Sequence, residues 1–143
     1  MRTLAIVPVK SFDIAKQRLA GAETIVIGPS NPVISIGPIL AVPGVREALR
    51  ESPAPVVAVS PFVGGHAVKG PTEPFMAHAG LPLGVAGVLA AYEGLLDGVV
   101  CDERPDGGDV PVLVTDTLMA DARSRRRVAR ETLDFARGLA AGR

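Results

Sequence analysis

Cysteine, aromatic residues, net charge and long apolar runs are scarce or absent in this chain of 143 residues. The single cysteine, Cys101, excludes an internal disulfide and a metal centre built from several cysteines. Fifteen basic residues balance fifteen acidic ones, so no overall charge attracts the chain to nucleic acid or to an anionic membrane. No charged start with an apolar export segment is present, and no apolar run approaches the roughly 20 residues that span a bilayer. These absences predict a cytoplasmic location and no nucleic-acid or membrane partner.

Aliphatic residues supply almost all of the apolar content, and they occur in short runs. Hydrophobic residues make up 48% of the chain and aromatic residues only 3%, which is typical of buried parallel strands packed by helices. Because ligands bind at the carboxyl ends of parallel strands, we expect an α/β, Rossmann-like, mostly parallel sheet flanked by helices, with a polar crevice at one edge. Four apolar runs that stop at small polar or acidic residues are Thr24–Ile27, Val56–Val59, Gly98–Cys101 and Val112–Val114.

The segments around these strands predict the rest of the fold. Residues 3–9 form a first strand and Phe12–Ala20 a helix, which together start a parallel βαβ unit. Prolines and glycines favour an ordered loop over 31–44 that leads into a short helical turn, and a binding loop or lid over 61–82 with at most a turn or a short helix near 75–78. Further helices are predicted at 45–50, 84–96 and 122–139. The chain fits a single domain over 1–143 but is short for a complete doubly wound enzyme, which predicts an incomplete domain.

Ser30 and Asn31 are the first candidates for contact with a ligand. They follow a predicted strand and lie between Pro29 and Pro32, which fix the backbone around a hydroxyl and an amide. Such a turn can hold a phosphate. The alternative is a rigid connector in which both side chains only satisfy their own turn.

A second set of candidates lies in residues 60–71. Ser60 follows a buried strand, the pair Gly64 and Gly65 allows close approach of the backbone, and Lys69 offers a positive charge to an anionic group. The glycine spacing is not that of a Walker loop, and no Gly-Lys-Ser/Thr sequence follows. The alternative is a mobile surface loop with a solvated lysine.

Asp116 is the candidate at the end of the last predicted strand. It lies between two threonines, where its carboxylate could contact a ligand or a hydrated magnesium ion. Capping of the next helix is the alternative. The arginines of that helix are predicted to cover a solvated face, with phosphate binding as the other interpretation. His66 and His78 are too isolated to indicate a metal site, so no catalytic residue or metal ligand is assigned.

From about residue 23 to the C-terminus, four blocks of sequence together resemble one known family, the 2-phospho-L-lactate transferases of coenzyme F-420 biosynthesis. The resemblance implies transfer of a phospholactyl or phosphoenolpyruvyl group from a guanosine diphosphate carrier to the deazaflavin Fo, with release of GMP and assistance from magnesium. Its substrate contacts would include Ser30, Asn31, Ser60, Lys69 and Asp116, with Gly64 and Gly65. The blocks are Ile-Gly-Pro-Ser-Asn-Pro at 27–32 with Ser-Ile-Gly-Pro-Ile-Leu at 35–40, Val-Ser-Pro at 59–61 through Lys-Gly-Pro at 69–71, Leu-Leu-Asp-Gly at 95–98, and Val-Thr-Asp-Thr-Leu-Met at 114–119.

Residues 1–21 resemble a different family. Their strand, loop and helix are similar to the opening of 2-phospho-L-lactate guanylyltransferase, the enzyme that makes the activated donor. That resemblance implies contacts of Lys10, Lys16 and Arg18 with a nucleotide phosphate. The base-binding and metal-binding parts of that family are not visible, nor is the glycine-rich first turn of the transferases. We expect the first strand to take the place of a missing transferase strand, with Lys10 near the crevice.

Three interpretations therefore stay open. The first is a transferase-type domain, the second a guanylyltransferase, and the third a truncated or fused chain that folds without turnover. The sequence does not decide between lactate and pyruvate donors, and it leaves open whether a homodimer forms.

Overall fold

A five-stranded parallel sheet forms the centre of the molecule. The computed structural model describes residues 3–5 and 12–142. The strands lie in the order β1-β2-β3-β6-β7 and every neighbouring pair is parallel, which confirms the predicted Rossmann-like sheet. In chain order the elements are β1 (Thr3–Ala5), α1 (Phe12–Ala20), β2 (Thr24–Ile27), a π-helical segment (Pro32–Ile36), α2 (Gly37–Leu40), α3 (Val45–Arg50), β3 (Val56–Val59), β4 (Phe62–Val63), β5 (His66–Ala67), α4 (Thr72–His78), α5 (Gly84–Ala91), β6 (Gly98–Cys101), β7 (Val112–Val114) and α6 (Ala122–Ala141).

The two faces of the sheet bury different clusters, because side chains alternate along each strand. On one face, Ile25, Ile27 and Ala58 pack against helices α1 to α5. On the other face, Val57 and Val59 pack against α6. Each fully buried Val or Ile contributes roughly 1.5–3 kcal/mol, so these strands form the most stable part of the fold.

Gly98 allows α6 to lie close to the sheet. A Cβ atom at this position would stand 2.7 Å from Leu139 Cδ1 and 2.7 Å from Phe135 Cε1. The helix presents the predicted apolar stripe to the strands, with Val128 and Thr132 buried. Of the helices that the structure describes, none is long and apolar enough to cross a membrane.

The chain after β2 is more helical than predicted. In place of a loop with a single turn, the π-helical segment runs directly into α2. Pro32 occupies the first helical position, where a missing N–H costs nothing and the fixed φ suits a helix. The prolines that predicted a break therefore start a helix here.

Residues 62–67 form a small antiparallel hairpin where no strand was predicted. Its turn is Gly64-Gly65, and both residues have positive φ, 58° and 77°. The type I′ turn, one of the two favoured two-residue hairpin turns, requires a positive φ at both positions. The prediction of little regular structure over 61–82 was wrong in this part, because the glycines were interpreted as breakers rather than as a turn.

One predicted helix ends earlier than expected, and part of the predicted first strand lies outside the described residues. Helix α5 ends at Ala91, short of residue 96, and Gly94 adopts a positive φ of 71° just beyond it. The first strand is described over Thr3–Ala5, while residues 6–11, including Lys10, lie outside the described part of the chain. Helix α1 has the predicted bounds.

Candidate functional site

A cleft of about 630 Å³ lies at the carboxyl ends of β2 and β3, beside the segment that follows β7. This is the edge of the sheet where the sequence predicts a polar crevice. Four stretches of chain contribute to the lining. They are residues 29–31 with Ile34 and Ser35, residues 60, 61 and 63, residues 68–72, and residues 117–120 with Arg125.

Asn31 lines this cleft, and the nitrogen of its side-chain amide is buried. Its Oδ1 accepts hydrogen bonds from the N–H groups of Val33 at 2.9 Å and Ile34 at 3.1 Å, so the side chain caps the π-helical segment. Both N–H groups bind to Oδ1, so Nδ2 is the polar atom of this side chain that these two hydrogen bonds leave unpaired. The residue is 9% exposed, and Nδ2 has no hydrogen-bond partner among the described residues. A donor is therefore held in place without a protein acceptor.

Thr117 lines another wall of the cleft and also holds a buried polar atom. The residue is 3% exposed, and its Oγ1 has no partner within the described part of the chain. By contrast, the buried hydroxyl of Ser60 accepts the N–H of Phe62 at 3.1 Å, and that of Thr72 donates to the Lys69 carbonyl at 3.3 Å. An unsatisfied buried polar atom costs about 1–3 kcal/mol. Two residues of one cleft therefore each hold a polar atom that no described residue satisfies.

The charged residues among the described part of the lining are both positive. They are Lys69 and Arg125, and no aspartate or glutamate of the described residues joins them. Arg125 lies in the first turn of α6, near the partial positive charge of a helix N-terminus, and that turn contains no acidic residue. Lysine, arginine and amide donors without a carboxylate fit an anionic ligand.

Asp121, not Asp116, caps α6. Its Oδ1 accepts the N–H of Ser124 at 2.7 Å, and the Ser124 hydroxyl accepts the N–H of Asp121 at 3.0 Å. The backbone hydrogen bond from Ser124 lowers the pKa of Asp121. Capping of this helix, the alternative considered for the Thr-Asp-Thr motif at 115–117, is therefore the role of a residue outside that motif.

The structure brings together four of the predicted substrate contacts, Ser30, Asn31, Ser60 and Lys69, which all line the cleft. Their roles in binding stay predictions.

The other predicted contacts lie outside this lining. Gly64 and Gly65 form the hairpin turn, where the N–H of Gly64 donates to Asp102 Oδ2 at 2.5 Å. Asp116 is exposed beside the cleft. Lys16 and Arg18 are exposed on α1 and do not line it either.

Comparison with known proteins agrees with the sequence resemblance. A sequence model of the family described as 2-phospho-L-lactate transferase CofD matches residues 4–122. The chain belongs to this family. The matched range begins within β1 and includes α1 as well as the part from residue 23 onward, and it ends just before Arg125.

Named relatives point to the same family. The chain is 35% identical over 130 residues to the 2-phospho-L-lactate transferase of Methanocaldococcus jannaschii, covering 88% of this chain and 41% of the relative. It is 47% identical over 109 residues to that of Haloarcula marismortui, covering 76% and 32%. A phosphoenolpyruvate transferase of Streptomyces griseus is 37% identical over 145 residues, covering 92% and 46%. The chain therefore spans less than half the length of these CofD-family relatives.

Sequence reasoning missed two residues of this CofD-family cleft. Thr117 was recognised as part of the Thr-Asp-Thr motif, but the carboxylate of Asp116 was preferred to it. Arg125 was assigned to a solvated helix face with its neighbours. The only available signal was position, because Thr117 lies three residues after a strand end and Arg125 in the first turn of a helix.

The described residues do not by themselves form a magnesium site of the kind the family resemblance implies. No group of three or more His, Cys, Asp or Glu side chains in the described ranges could hold a metal ion. The lining residues that the structure describes include no carboxylate, although Mg²⁺ in proteins is usually bound through one or two. Magnesium binding therefore stays a prediction.

Proposed function

We propose that the cleft binds the diphosphate of a guanosine diphosphate carrier, from which a phospholactyl or phosphoenolpyruvyl group passes to the deazaflavin Fo in coenzyme F-420 biosynthesis. The observation that carries the proposal is a cleft lined by Lys69 and Arg125, with no carboxylate among its described lining residues, and by two residues, Asn31 and Thr117, that each hold a buried polar atom without a partner. The names of the CofD-family relatives, 2-phospho-L-lactate transferase and phosphoenolpyruvate transferase, support this class of reaction.

The residues of the cleft suit a reaction that depends on positioning and charge neutralisation. Asn31 Nδ2 and Thr117 Oγ1 would donate hydrogen bonds to phosphate oxygens, and Lys69 and Arg125 would neutralise their charge. A terminal hydroxyl of Fo attacks the phosphorus of the phospholactyl group, the bond from that phosphorus to the oxygen of the GMP phosphate breaks, and the hydroxyl proton passes to solvent. This step needs no protein nucleophile, and none is assigned.

The two resemblances make different predictions about which lysine binds the donor. Lys69 lines the cleft, while Lys16 is exposed on α1 and is one of the residues implied by the guanylyltransferase resemblance. Replacing each with glutamine removes one charge at a comparable exposed site. The pair of variants therefore separates the transferase interpretation from the guanylyltransferase one.

The test is titration of the purified chain with guanosine diphosphate by calorimetry, and with Fo by its fluorescence, with and without magnesium. We expect Lys69→Gln to weaken guanosine diphosphate binding about tenfold, the effect of losing one charged hydrogen bond of roughly 1.5 kcal/mol. Lys16→Gln should bind like the wild type. Loss of binding on Lys16→Gln alone would favour the guanylyltransferase, and no binding by a folded, monodisperse wild type would favour a chain without turnover.

A further inference from the structure

Arg127, on α6, joins this helix to the segment that carries Thr117. Its Nη2 donates to the carbonyl oxygen of Asp116 at 2.7 Å and to Asp116 Oδ2 at 3.1 Å. Its Nη1 donates to Thr115 Oγ1 at 3.2 Å and to Glu131 Oε2 at 3.4 Å. The Thr115 hydroxyl in turn donates to Glu131 Oε2 at 2.6 Å. One guanidinium therefore binds two consecutive residues just after β7.

A hydrogen bond also fixes this segment on the C-terminal side of Thr117. The N–H of Leu118 donates to Asp116 Oδ1 at 2.9 Å, so the two oxygens of this carboxylate hold Leu118 and Arg127. At the start of the segment, the N–H of Thr115 donates to the Cys101 carbonyl at 2.9 Å. The residues before and after Thr117 are both fixed. The backbone that carries Thr117 is therefore held on both sides, and Thr117 itself lines the cleft with its hydroxyl buried.

We propose that Arg127 is a positioning residue, which holds residues 115–118 so that the Thr117 hydroxyl faces the bound phosphate. This role rests on the proposed function, because it assumes that the cleft binds a diphosphate. Asp116 acts in the same network as the acceptor between Arg127 and Leu118. A guanidinium suits the task, since it donates from two nitrogens in fixed directions and an ammonium does not.

Arg127 is placed to affect geometry more than overall stability. The Arg127 and Asp116 side chains are 34% and 70% exposed. Ion pairs at such positions contribute about 0–1 kcal/mol to folding. Loss of the guanidinium should therefore leave the fold intact while the Thr117 segment moves.

A double-mutant cycle tests this coupling with guanosine diphosphate as the probe. The variants are Arg127→Met, Thr117→Val and the double variant, measured by calorimetry at constant ionic strength. We expect each single variant to weaken binding about five- to tenfold. The double variant should bind about as tightly as the weaker-binding single variant, because Arg127 acts through Thr117. Arg127→Lys should not restore binding.

Arg126→Met is the matched control. Arg126 is an exposed neighbour on the same helix, and this variant removes the same charge. It should change the affinity less than twofold. If the effects of Arg127→Met and Thr117→Val add, or if Arg127→Met equals Arg126→Met, Arg127 does not position Thr117, although the proposed function would stand.

A second measurement needs no ligand and keeps the two proposals distinguishable. The amide of Leu118 should exchange its hydrogen at least tenfold faster in Arg127→Met than in the wild type, because Asp116 is no longer held in place. Its exchange in Arg126→Met should be unchanged. Equal exchange in all three proteins would overturn the positioning role whether or not the wild type binds guanosine diphosphate.

Discussion

Two walls of the cleft present the same kind of buried polar atom by different means. In the Asn31 wall, residues 29–35, the side chain is fixed by N–H groups two and three residues further along the chain. In the Thr117 wall, residues 115–120, the flanking residues are fixed by Arg127 and Glu131, 11 to 16 residues away. The first wall depends on a local cap, whereas the second depends on where α6 lies against the sheet.

The difference implies different vulnerabilities. The Asn31 wall should keep its local geometry as long as its π-helical segment forms, and that segment packs beside α4 and α5. The Thr117 wall should move whenever α6 shifts on its buried contacts, such as Val128 and Ala136. Variants that affect one wall and not the other can test this comparison.

The largest effect is expected from Gly87→Ala, which disturbs the packing behind the Asn31 wall. A Cβ atom on this buried residue of α5 would overlap the carbonyl oxygen of Pro82 and the terminal methyl of Met76. Because the carbonyl belongs to the backbone, relief needs a shift of the chain, and we expect a loss of about 2–3 kcal/mol in the free energy of unfolding in urea.

Gly138→Ala is the matched control for this variant. Gly138 lies within α6, and a Cβ there would meet nothing within 4 Å. This substitution should stabilise the chain by up to about 1 kcal/mol, because alanine favours a helix. Equal responses of the two glycines would contradict the packing described around α5.

An intermediate effect is expected at Asn31, where two substitutions separate capping from ligand binding. Asn31→Ala removes both the cap and the Nδ2 donor, and should cost about 1 kcal/mol of stability. Asn31→Ser keeps an oxygen that can cap equally well and removes the amide group with its Nδ2 donor, so its urea midpoint should stay close to that of the wild type.

Both Asn31 variants should weaken guanosine diphosphate binding, since both lack the amide donor. Calorimetry and urea unfolding on the same samples would show the separation. If Asn31→Ser binds as tightly as the wild type, the buried nitrogen has no part in recognition, and the Asn31 wall is only a rigid connector.

The local features of this fold could be predicted from the sequence. The strands β2, β3, β6 and β7 were predicted with their observed bounds, because short aliphatic runs ending at polar residues need no distant information. Helix α1 and the placement of Ser30 and Asn31 at the edge of the sheet followed in the same way. The parallel order then placed the strand ends together, and the cleft lies at the ends of β2 and β3 and beside the segment after β7, while Asp102 and Glu103 after β6 are not among its lining residues.

Features that depend on distant contacts could not be predicted. Nothing near Thr117 in sequence shows that Arg127 and Glu131 hold its neighbours, so the carboxylate beside it was the more obvious candidate. Gly64 and Gly65 look equally suited to a hairpin turn and to a phosphate loop, and only the pairing of β4 with β5 distinguishes the two. In each case the residue type suits contact with a ligand, but its role depends on which distant residue or strand it pairs with.

The smallest effect is expected from Glu73→Gln, in the contact between the hairpin and α4. Glu73 Oε1 accepts the N–H of Ala67 at 3.0 Å and lies 3.4 Å from His66 Nδ1. The Ala67 hydrogen bond, and then His66, lower the pKa of Glu73 from 4.5. Since the folded state favours the charged form of Glu73, this contact stabilises the chain above the ordinary pKa, and the stabilisation is lost as the pH falls through the lowered pKa.

Thermal unfolding from pH 6 to pH 3 tests this contact. The unfolding temperature of the wild type should exceed that of Glu73→Gln near pH 6, and the difference should disappear below about pH 4.5. If the difference in unfolding temperature between the two proteins stays constant with pH, the Gly64-Gly65 turn alone holds the hairpin. The segment leading to Lys69 would then be fixed by local contacts, like the Asn31 wall.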